Sequence, residues 1–196
     1  MSIISLGGTC CIAHQLREYG LGDGYLPFDW VRINNFSNII KLLASNFDSF
    51  FNKDDFIFIK KSNLFQVASG ADSFIYKNKL CKFYHDFDKY IDKEIFETFQ
   101  IKYTRRIERL YKKLTEETKI TFIREVIGRL TVSKLEKFKK VIETINPDLE
   151  WSLVLICNST NATKFRDLDF IRIYENSDKV IDWKRDNLEW DSIFEL

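Results

Sequence analysis

Residues 3–19 read Ile3-Ile-Ser-Leu-Gly-Gly-Thr-Cys-Cys-Ile-Ala-His-Gln-Leu-Arg-Glu-Tyr19. Residues 3–6 form a short apolar run that is typical of a strand, and residues 7–9 interrupt it with two glycines and a threonine. After Cys10, apolar residues recur at helical spacing at Ile12, Leu16 and Tyr19. The stretch therefore predicts a strand, a tight turn and a helix, with Cys10 at or near the first turn of that helix.

The same alternation of short apolar runs and longer periodic segments continues along the chain. Helical spacing predicts further helices over residues 36–50, 92–117 and 133–145, the last opened by a Ser133–Glu136 capping box. Short apolar runs predict strands at 120–123, 153–156 and 170–174. Because helices separate these strands, we expect those near 2–6, 120–124 and 153–157 to lie side by side and parallel.

Residues 56–85 have a different pattern. Strand-like runs at 56–59, 64–68, 73–76 and 80–85 follow one another with only turn residues between them, at 62–63 and 69–72. Neighbouring strands joined by short turns pair antiparallel. The whole chain, 1–196, is thus predicted to be a single α/β domain. Its mostly parallel sheet should carry helices on both faces and an antiparallel insertion around residues 56–85.

The composition narrows the class of protein. The 30 basic and 29 acidic residues almost cancel, so no charged field points to nucleic acid or to an anionic membrane as a partner. No apolar run approaches the roughly 20 residues that a membrane-spanning helix needs, and the N-terminal residues lack a signal-peptide pattern. The four cysteines do not form paired C-x-x-C motifs, so we expect no metal, no cofactor and a reducing, cytoplasmic location.

Cys10 is the most reactive side chain that the first turn offers. A helix N-terminus favours the thiolate, which predicts a lowered pKa for Cys10. Backbone N–H groups from Gly7, Gly8, Thr9 and Cys11 lie close enough in sequence to hold a developing oxyanion. Alternatively, the glycines only form the turn and Cys10 is a small buried residue, or the glycines seat a phosphate, although no G-x-G-x-x-G or P-loop motif is present.

Two histidines, His14 and His85, limit the choice of a general base. His85 follows a strand-like run and precedes the long helix, which suits a base that closes a cleft. His14 lies four residues after Cys10, but two ligands are too few for a metal site. Asp29, within Pro27-Phe-Asp-Trp30, is a carboxylate among aromatic residues and is expected to orient the imidazole.

Arginines complete the set of candidate site residues. Arg105 and Arg109 share a face of the long helix, where they either form a solvated surface or bind a carboxylate or phosphate. Arg124 follows the strand at 120–123, at the sheet edge where ligands of α/β proteins bind. We therefore expect Arg105 and Arg124 to face the same cleft as Cys10 and to contact substrate.

Several of these segments together resemble one family. Across about residues 2–125, the chain is similar to uncharacterised proteins of bacteria and large DNA viruses that are classed as papain-like cysteine peptidases. The similar segments are Ser5-Leu-Gly-Gly-Thr-Cys-Cys-Ile-Ala-His-Gln-Leu-Arg17, Gly20-Leu21, Pro27-Phe-Asp-Trp30, His85-Asp-Phe87, Tyr103-Thr-Arg-Arg-Ile-Glu-Arg109 and Phe122-Ile-Arg124. The resemblance implies Cys10 as nucleophile and His85 as base, and an intracellular location in the host if the source is viral.

The leading hypothesis is acyl chemistry by a Cys10–His85 pair. A peptide, ester or thioester would be the substrate, and hydrolysis or acyl transfer the reaction. Two alternatives remain open from the residues. The first is an enzyme or binding module for glycans or nucleotides, which would use the Gly-rich turn and the arginines. The second is a catalytically silent interaction domain.

Overall fold

A computed structural model of the chain describes residues 2–22, 24–176 and 182–195. The first half of this described part contains β1 (Ser2–Ser5), α1 (Cys11–Glu18), β2 (Val31–Arg32), α2 (Phe36–Ala44), β3 (Ile57–Gln66), β4 (Asp72–Lys77) and β5 (Lys82–Phe83). The second half contains α3 (Lys93–Glu116), β6 (Lys119–Glu125), α4 (Val132–Ile145), β7 (Glu150–Cys157), α5 (Ser159–Phe165), β8 (Ile171–Glu175) and α6 (Trp190–Glu195).

Four strands form a parallel sheet in the order β1-β6-β7-β8. Ile4 of β1 lies opposite Phe122 of β6, which in turn lies opposite Leu153 of β7. Each neighbouring pair runs parallel, so the predicted parallel arrangement of the strands near 2–6, 120–124 and 153–157 is confirmed. The intervening helices supply the crossover connections that parallel strands require.

Helices cover both faces of this sheet because successive side chains of β6 and β7 point to opposite sides. On one face, Ile123, Val154 and Ile156 pack in a cluster with residues of α1 and α6. On the other face, Phe122 and Leu153 join a larger cluster with residues of α2, α3, α4 and α5. The predicted α/β class with helices on both faces is thus confirmed.

A second sheet is antiparallel, with the strand order β2-β5-β4-β3. Three of its strands come from residues 56–85, as predicted, and β2 joins from outside this segment. The turn predicted at 62–63 is absent from the described strand, since β3 runs continuously through it. Register shifts between Phe58 and Lys60 and between Ser62 and Gln66 accommodate the polar residues there instead.

Helix boundaries agree with the predictions except at two ends. The second helix stops at Ala44, because Asn46 and Phe47 adopt positive φ angles of 50° and 61°. A 3-10 turn then carries Phe50 into the core. The fourth helix begins earlier than its Ser133 signal, since the Thr131 side chain accepts a hydrogen bond from the N–H group of Lys134.

One hydrophobic cluster contains residues from both sheets, among them Phe122 of the parallel sheet and Phe83 of the antiparallel one. Phe99 and Tyr103 of α3 pack against Phe83, with ring centroids 5.3 and 6.1 Å away. This aromatic packing holds the antiparallel sheet, and with it His85, in a defined position beside β1. Among the described helices, none is long and apolar enough to cross a membrane.

Candidate active site

Cys10 lies at the carboxyl edge of the parallel sheet. The N–H group of Leu6 still donates to Ile123, at 2.9 Å, so the chain leaves the sheet only after that residue. Cys10 then occupies the N-cap position of α1, and its carbonyl accepts from the N–H group of His14 at 3.0 Å. The predicted location of Cys10, at a strand-to-helix turn, matches this arrangement.

The turn depends on glycine for two reasons. Gly7 and Gly8 have φ angles of +65° and +111°, which side chains other than glycine rarely adopt. In addition, a Cβ atom at position 8 would lie 3.1 Å from the carbonyl oxygen of Glu125. A residue larger than glycine would therefore push the turn away from the end of β6.

His85 follows β5 and faces the thiol of Cys10. Its Nε2 lies 3.8 Å from Cys10 Sγ, and its Nδ1 lies 2.9 Å from the carbonyl oxygen of Gln66. A carbonyl only accepts hydrogen bonds, so Nδ1 carries the proton in the neutral ring. Nε2 is then unprotonated and available to accept the proton of the thiol.

Aromatic side chains flank the imidazole. The ring of Trp30 meets it edge to face at a centroid distance of 5.4 Å, and the ring of Phe65 does so at 5.9 Å. Trp30 has a φ angle of 62°, a conformation that is unusual for a bulky residue. Such outliers are enriched at functional sites, where the surrounding structure holds them in place.

Burial raises the pKa of Cys10 to about 12, and the negative charges of Asp86 and Asp29 add to this effect against that of Arg32. The prediction of a lowered pKa from the helix N-terminus is therefore wrong for the free protein, because desolvation of the thiolate dominates. Desolvation therefore favours the neutral thiol of Cys10 in the free protein.

Free backbone donors surround the thiol. The N–H groups of Gly8, Thr9, Cys10 and Cys11 donate to no acceptor within the described ranges. Donors of this kind at the start of a helix are suited to an anion or to a carbonyl oxygen that becomes negative. The turn thus offers a position for an oxyanion next to Cys10.

The side chains of Thr9 and Cys11 turn away to a polar cluster beneath the turn. Thr9 donates to Glu125 at 2.7 Å, and Arg185 forms a salt bridge with the same carboxylate at 2.8 Å. Cys11 is fully buried, 3.0 Å from the Thr9 hydroxyl, and burial together with Glu125 raises its pKa to about 12. These two residues can therefore reach substrate only through their backbone N–H groups.

Asp29 does not occupy the position that the sequence predicts for it. Its carboxylate accepts from the N–H group of Leu26 at 2.8 Å and caps the turn at residues 26–29. The acceptor on Nδ1 of His85 is the carbonyl of Gln66. The role of orienting the imidazole therefore falls to the backbone, and Asp29 affects the site only through its charge.

Arg105 and Arg124, which were expected to face one cleft, lie in different surroundings. Arg124 is 1% exposed and donates to the carbonyls of Leu6 and Ile33 at 2.8 and 2.7 Å. It therefore joins the end of β1 to the segment after β2, and the prediction that it contacts substrate is wrong. Arg105 is exposed and lines a cavity whose lining includes His85 but not Cys10, so its place in the Cys10 cleft stays a prediction.

A cavity of about 700 Å³ opens over the Cys10–His85 pair. Its walls include two aromatic residues distant in sequence, Trp30 and Trp183, whose ring centroids lie 6.3 Å apart. Trp183 is 52% exposed. Its charged neighbours in the sequence could have indicated a tryptophan at the surface, where it is available to a ligand. No sequence pattern could have indicated the contact of Gln66 with His85, because it is made by the backbone carbonyl that every residue has.

Within the described ranges, no group of three or more His, Cys, Asp and Glu residues has a geometry that would hold a metal ion. The chemical groups at the site are a thiol, an imidazole and backbone amides. The remaining polar lining of the 700 Å³ cavity comes from Arg32, Asn63, Gln66 and Tyr84.

Comparison with known proteins shows the family of the chain. No solved structure matches the chain. "Uncharacterized protein R408" of Acanthamoeba polyphaga mimivirus is 31% identical over 97% of this chain and 95% of its own length. One family, "Putative papain-like cysteine peptidase (DUF1796)", has a sequence model that matches residues 1–161, a range that includes both Cys10 and His85. The chain therefore belongs to this family.

Proposed function

We propose that the protein is a thiol-dependent hydrolase of acyl compounds, with Cys10 as nucleophile and His85 as general base. One observation carries the proposal: Nε2 of His85 lies 3.8 Å from Cys10 Sγ while Nδ1 faces the Gln66 carbonyl. This contact is longer than a good hydrogen bond, as is common in catalytic pairs without substrate. The tautomer leaves the correct nitrogen free to take the thiol proton.

The first half of the reaction forms an acyl-enzyme. His85 Nε2 accepts the proton of Cys10 as Sγ attacks the carbonyl carbon of the substrate, and the carbonyl oxygen becomes negative. The free N–H groups of Gly8 to Cys11 are suited to hold that oxygen. When the intermediate collapses, the bond to the leaving group breaks and the leaving group takes the proton from Nε2. A thioester on Cys10 remains.

The second half returns the free thiol. A water molecule attacks the thioester carbon while Nε2 accepts one of its protons. Collapse of this intermediate releases a carboxylic acid and passes the proton back to Sγ. Transfer of the acyl group to another acceptor would use the same thioester, with the acceptor in place of water.

The high pKa of the Cys10 thiol bears on when its proton is transferred to His85. With a pKa of about 12, almost none of Cys10 is thiolate near neutral pH. Burial of the thiol thus favours proton transfer to His85 during attack on the substrate over transfer before it. The family name favours an amide as the scissile bond, and the same machinery cleaves an ester or a thioester.

The test uses p-nitrophenyl esters, thioesters and peptidyl coumarin amides as probes for the wild-type protein, Cys10→Ser and His85→Ala. We expect wild-type turnover with at least one class of probe and a thioester on Cys10 that mass spectrometry detects. Loss of a general base should lower the rate of His85→Ala by about 10²–10⁴-fold. Cys157→Ala is the matched control, because it alters the same residue type away from the Cys10–His85 contact.

Two results would reject the proposal. Turnover that survives in Cys10→Ser would place the chemistry elsewhere. If no probe is turned over and mass spectrometry finds no thioester on Cys10 of the wild-type protein, the site is a binding module and not an enzyme.

A further inference from the structure

A second cavity, of about 720 Å³, adjoins the cavity over Cys10. Both cavities are lined by Trp30, Gln66 and His85, so the imidazole lies between them. The second cavity carries an unusual density of positive charge. Its basic lining residues are Arg17, Lys102, Arg105, Arg106 and Arg109.

Arg106 is the buried member of this group. It is only 8% exposed, and its Nη1 atom has no hydrogen-bond partner in the part of the chain that the structure describes. The guanidinium carbon lies 4.8 Å from the ring centroid of Tyr103 and 5.3 Å from that of Tyr25. Stacking holds the group in place but satisfies none of its N–H donors, so Arg106 keeps an unsatisfied buried donor beside the cavity.

The other arginines are also without carboxylate partners. Arg17, Arg105 and Arg109 form no ion pair with any residue in the described ranges, and Arg17 donates only to the hydroxyl of Tyr25, at 3.0 Å. Lys102, Arg105, Arg106 and Arg109 stand three or four residues apart on α3, where like charges repel. Such a row destabilises a helix unless an anion neutralises it.

The backbone beside the cavity is adapted to one of these arginines. Gly24 has a φ angle of +107°, and a Cβ atom there would lie 3.2 Å from Nη1 of Arg109. Glycine at this position lets the guanidinium lie close against the chain. Arg109 is thus accommodated by a specific local structure.

Two carboxylates lie among these cations and neutralise only part of their charge. Asp86 is held by Lys102 at 2.6 Å and by the hydroxyl of Tyr103 at 3.0 Å. Asp29 is buried, and burial raises its pKa to about 6 against the charges of Arg106 and Arg109. The four arginines therefore leave a net positive charge in the cavity even when both carboxylates are ionised.

We propose that this arginine cavity binds a phosphate monoester carried by the substrate, and that the phosphate anchors the acyl group over Cys10. The inference rests on the proposed function for the identity of the reacting bond. Several guanidinium groups around one cavity suit the three terminal oxygens and double charge of a phosphate better than a single carboxylate. A cavity of this size holds more than a lone phosphate, which agrees with a larger phosphorylated molecule that extends past His85.

Binding is tested first without catalysis, on Cys10→Ser protein, by calorimetric titration with inorganic phosphate at pH 7.5. We expect saturable binding that weakens by about 10-fold or more in Arg106→Met, because one charge-assisted hydrogen bond is lost. Arg109→Met is the second variant, since its exposed side chain can change without affecting the core. Arg129→Met, an exposed arginine outside the cavity, should bind phosphate like the parent.

The same titrations also test which anion the cavity prefers and whether phosphate binds at these arginines. Acetate and succinate should bind more weakly than phosphate. Equal binding of phosphate by the parent, Arg106→Met and Arg109→Met would overturn the site. Equal or tighter binding of succinate would overturn the assignment to phosphate.

The link to Cys10 is tested with a pair of thioesters that differ only in a phosphate monoester on the acyl group. Wild-type protein should show a higher kcat/KM for the phosphorylated compound, Arg109→Met should abolish that preference, and Arg129→Met should retain it. If wild-type protein turns over the uncharged thioester through Cys10 but binds no phosphate, the proposed function stands and this inference fails. If phosphate binds but no preference appears, the cavity is not the substrate anchor.

Discussion

The carbonyl oxygen of Gln66 lies 2.9 Å from Nδ1 of His85, on the opposite side of the ring from the thiol of Cys10. Gln66 ends β3, the outermost strand of the antiparallel sheet. The tautomer of the His85 imidazole is therefore set by the backbone of a strand end. A backbone acceptor cannot be deleted by substitution of its side chain, so its contribution is tested through the residues around it.

The alkylation rate of Cys10 should report its raised pKa. Because the thiolate is the reactive form, labelling by iodoacetamide should rise by about tenfold per pH unit and show no plateau below about pH 10. Mass spectrometry of the labelled peptide at a series of pH values measures this. A plateau already near about pH 7 would instead indicate a preformed thiolate–imidazolium pair.

Gly8→Ala should impair both stability and turnover. The substitution forces a side chain into a φ of +111° and against the Glu125 carbonyl, which costs about 2 kcal/mol in the free energy of unfolding. Displacement of the oxyanion donors should lower kcat by about 10²-fold. Gly70→Ala is the control, because Gly70 also has a positive φ but no atom within 4 Å of its Cβ position. It should lose only about 1 kcal/mol and retain turnover.

Arg124→Met should destabilise the fold by about 3 kcal/mol, because it leaves the carbonyls of Leu6 and Ile33 without their buried donor. Burial lowers the pKa of Arg124 to about 10, so the group is still charged near neutral pH. Chemical denaturation measures the change. The exposed Arg129→Met should stay within about 0.5 kcal/mol of the wild-type protein. Equal stability of both variants would show that Arg124 does not hold the two segments together.

Asp29→Asn should change how stability depends on pH. The folded-state pKa of Asp29, about 6, lies above its usual value of 3.8. The folded protein therefore binds this proton more tightly, and the wild-type free energy of unfolding should fall relative to that of Asp29→Asn as pH rises from about 4 to 7. The difference should reach about 2 kcal/mol. Denaturation curves of both proteins at matched pH values measure it.

The same Asp29→Asn variant also tests whether Asp29 is needed for turnover or only for the fold. Since Gln66 is the acceptor on His85, turnover at pH 7.5 should survive the substitution. A loss comparable to that of His85→Ala would restore Asp29 to the orienting role that the sequence suggested.

Trp183→Ala should weaken the binding of apolar acyl groups while the fold is retained. Trp183 is 52% exposed and contributes a wall of the Cys10 cavity through contact with Trp30. Its removal should raise KM for a long-chain p-nitrophenyl ester by about tenfold and change kcat less. A fall in kcat with constant KM would point instead to a role in positioning the imidazole.

The antiparallel sheet shows where local pattern fails. Residues 56–85 predict strands, but not that polar residues at 62–63 continue β3 instead of turning. Pairing with β4 satisfies that backbone, and a register shift absorbs the irregularity. β2, two residues long, carries too little pattern to be recognised before its partner β5 is known.

Helix ends were similarly decided by packing. The periodicity of 36–50 is continuous, yet Asn46 and Phe47 leave the helix with positive φ angles. Phe47 and Phe50 nevertheless reach the core. Burial of the two rings outweighs continuation of the helix, and only the three-dimensional arrangement shows it.

The sequence by itself determined the parallel α/β core through its periodicity and the strand-to-helix turn at Cys10 through its glycines. Because the chain has only two histidines, it also narrowed the choice of a partner for Cys10, which fell on His85. All three are local or compositional signals. Tertiary structure alone decided that Gln66 and not Asp29 faces Nδ1, that Arg124 is buried beneath the turn, and that Arg106 is left with an unpaired donor. These outcomes depend on which chain segments come together and on how far the side chains are desolvated there. Neither can be read from the sequence around the residue itself.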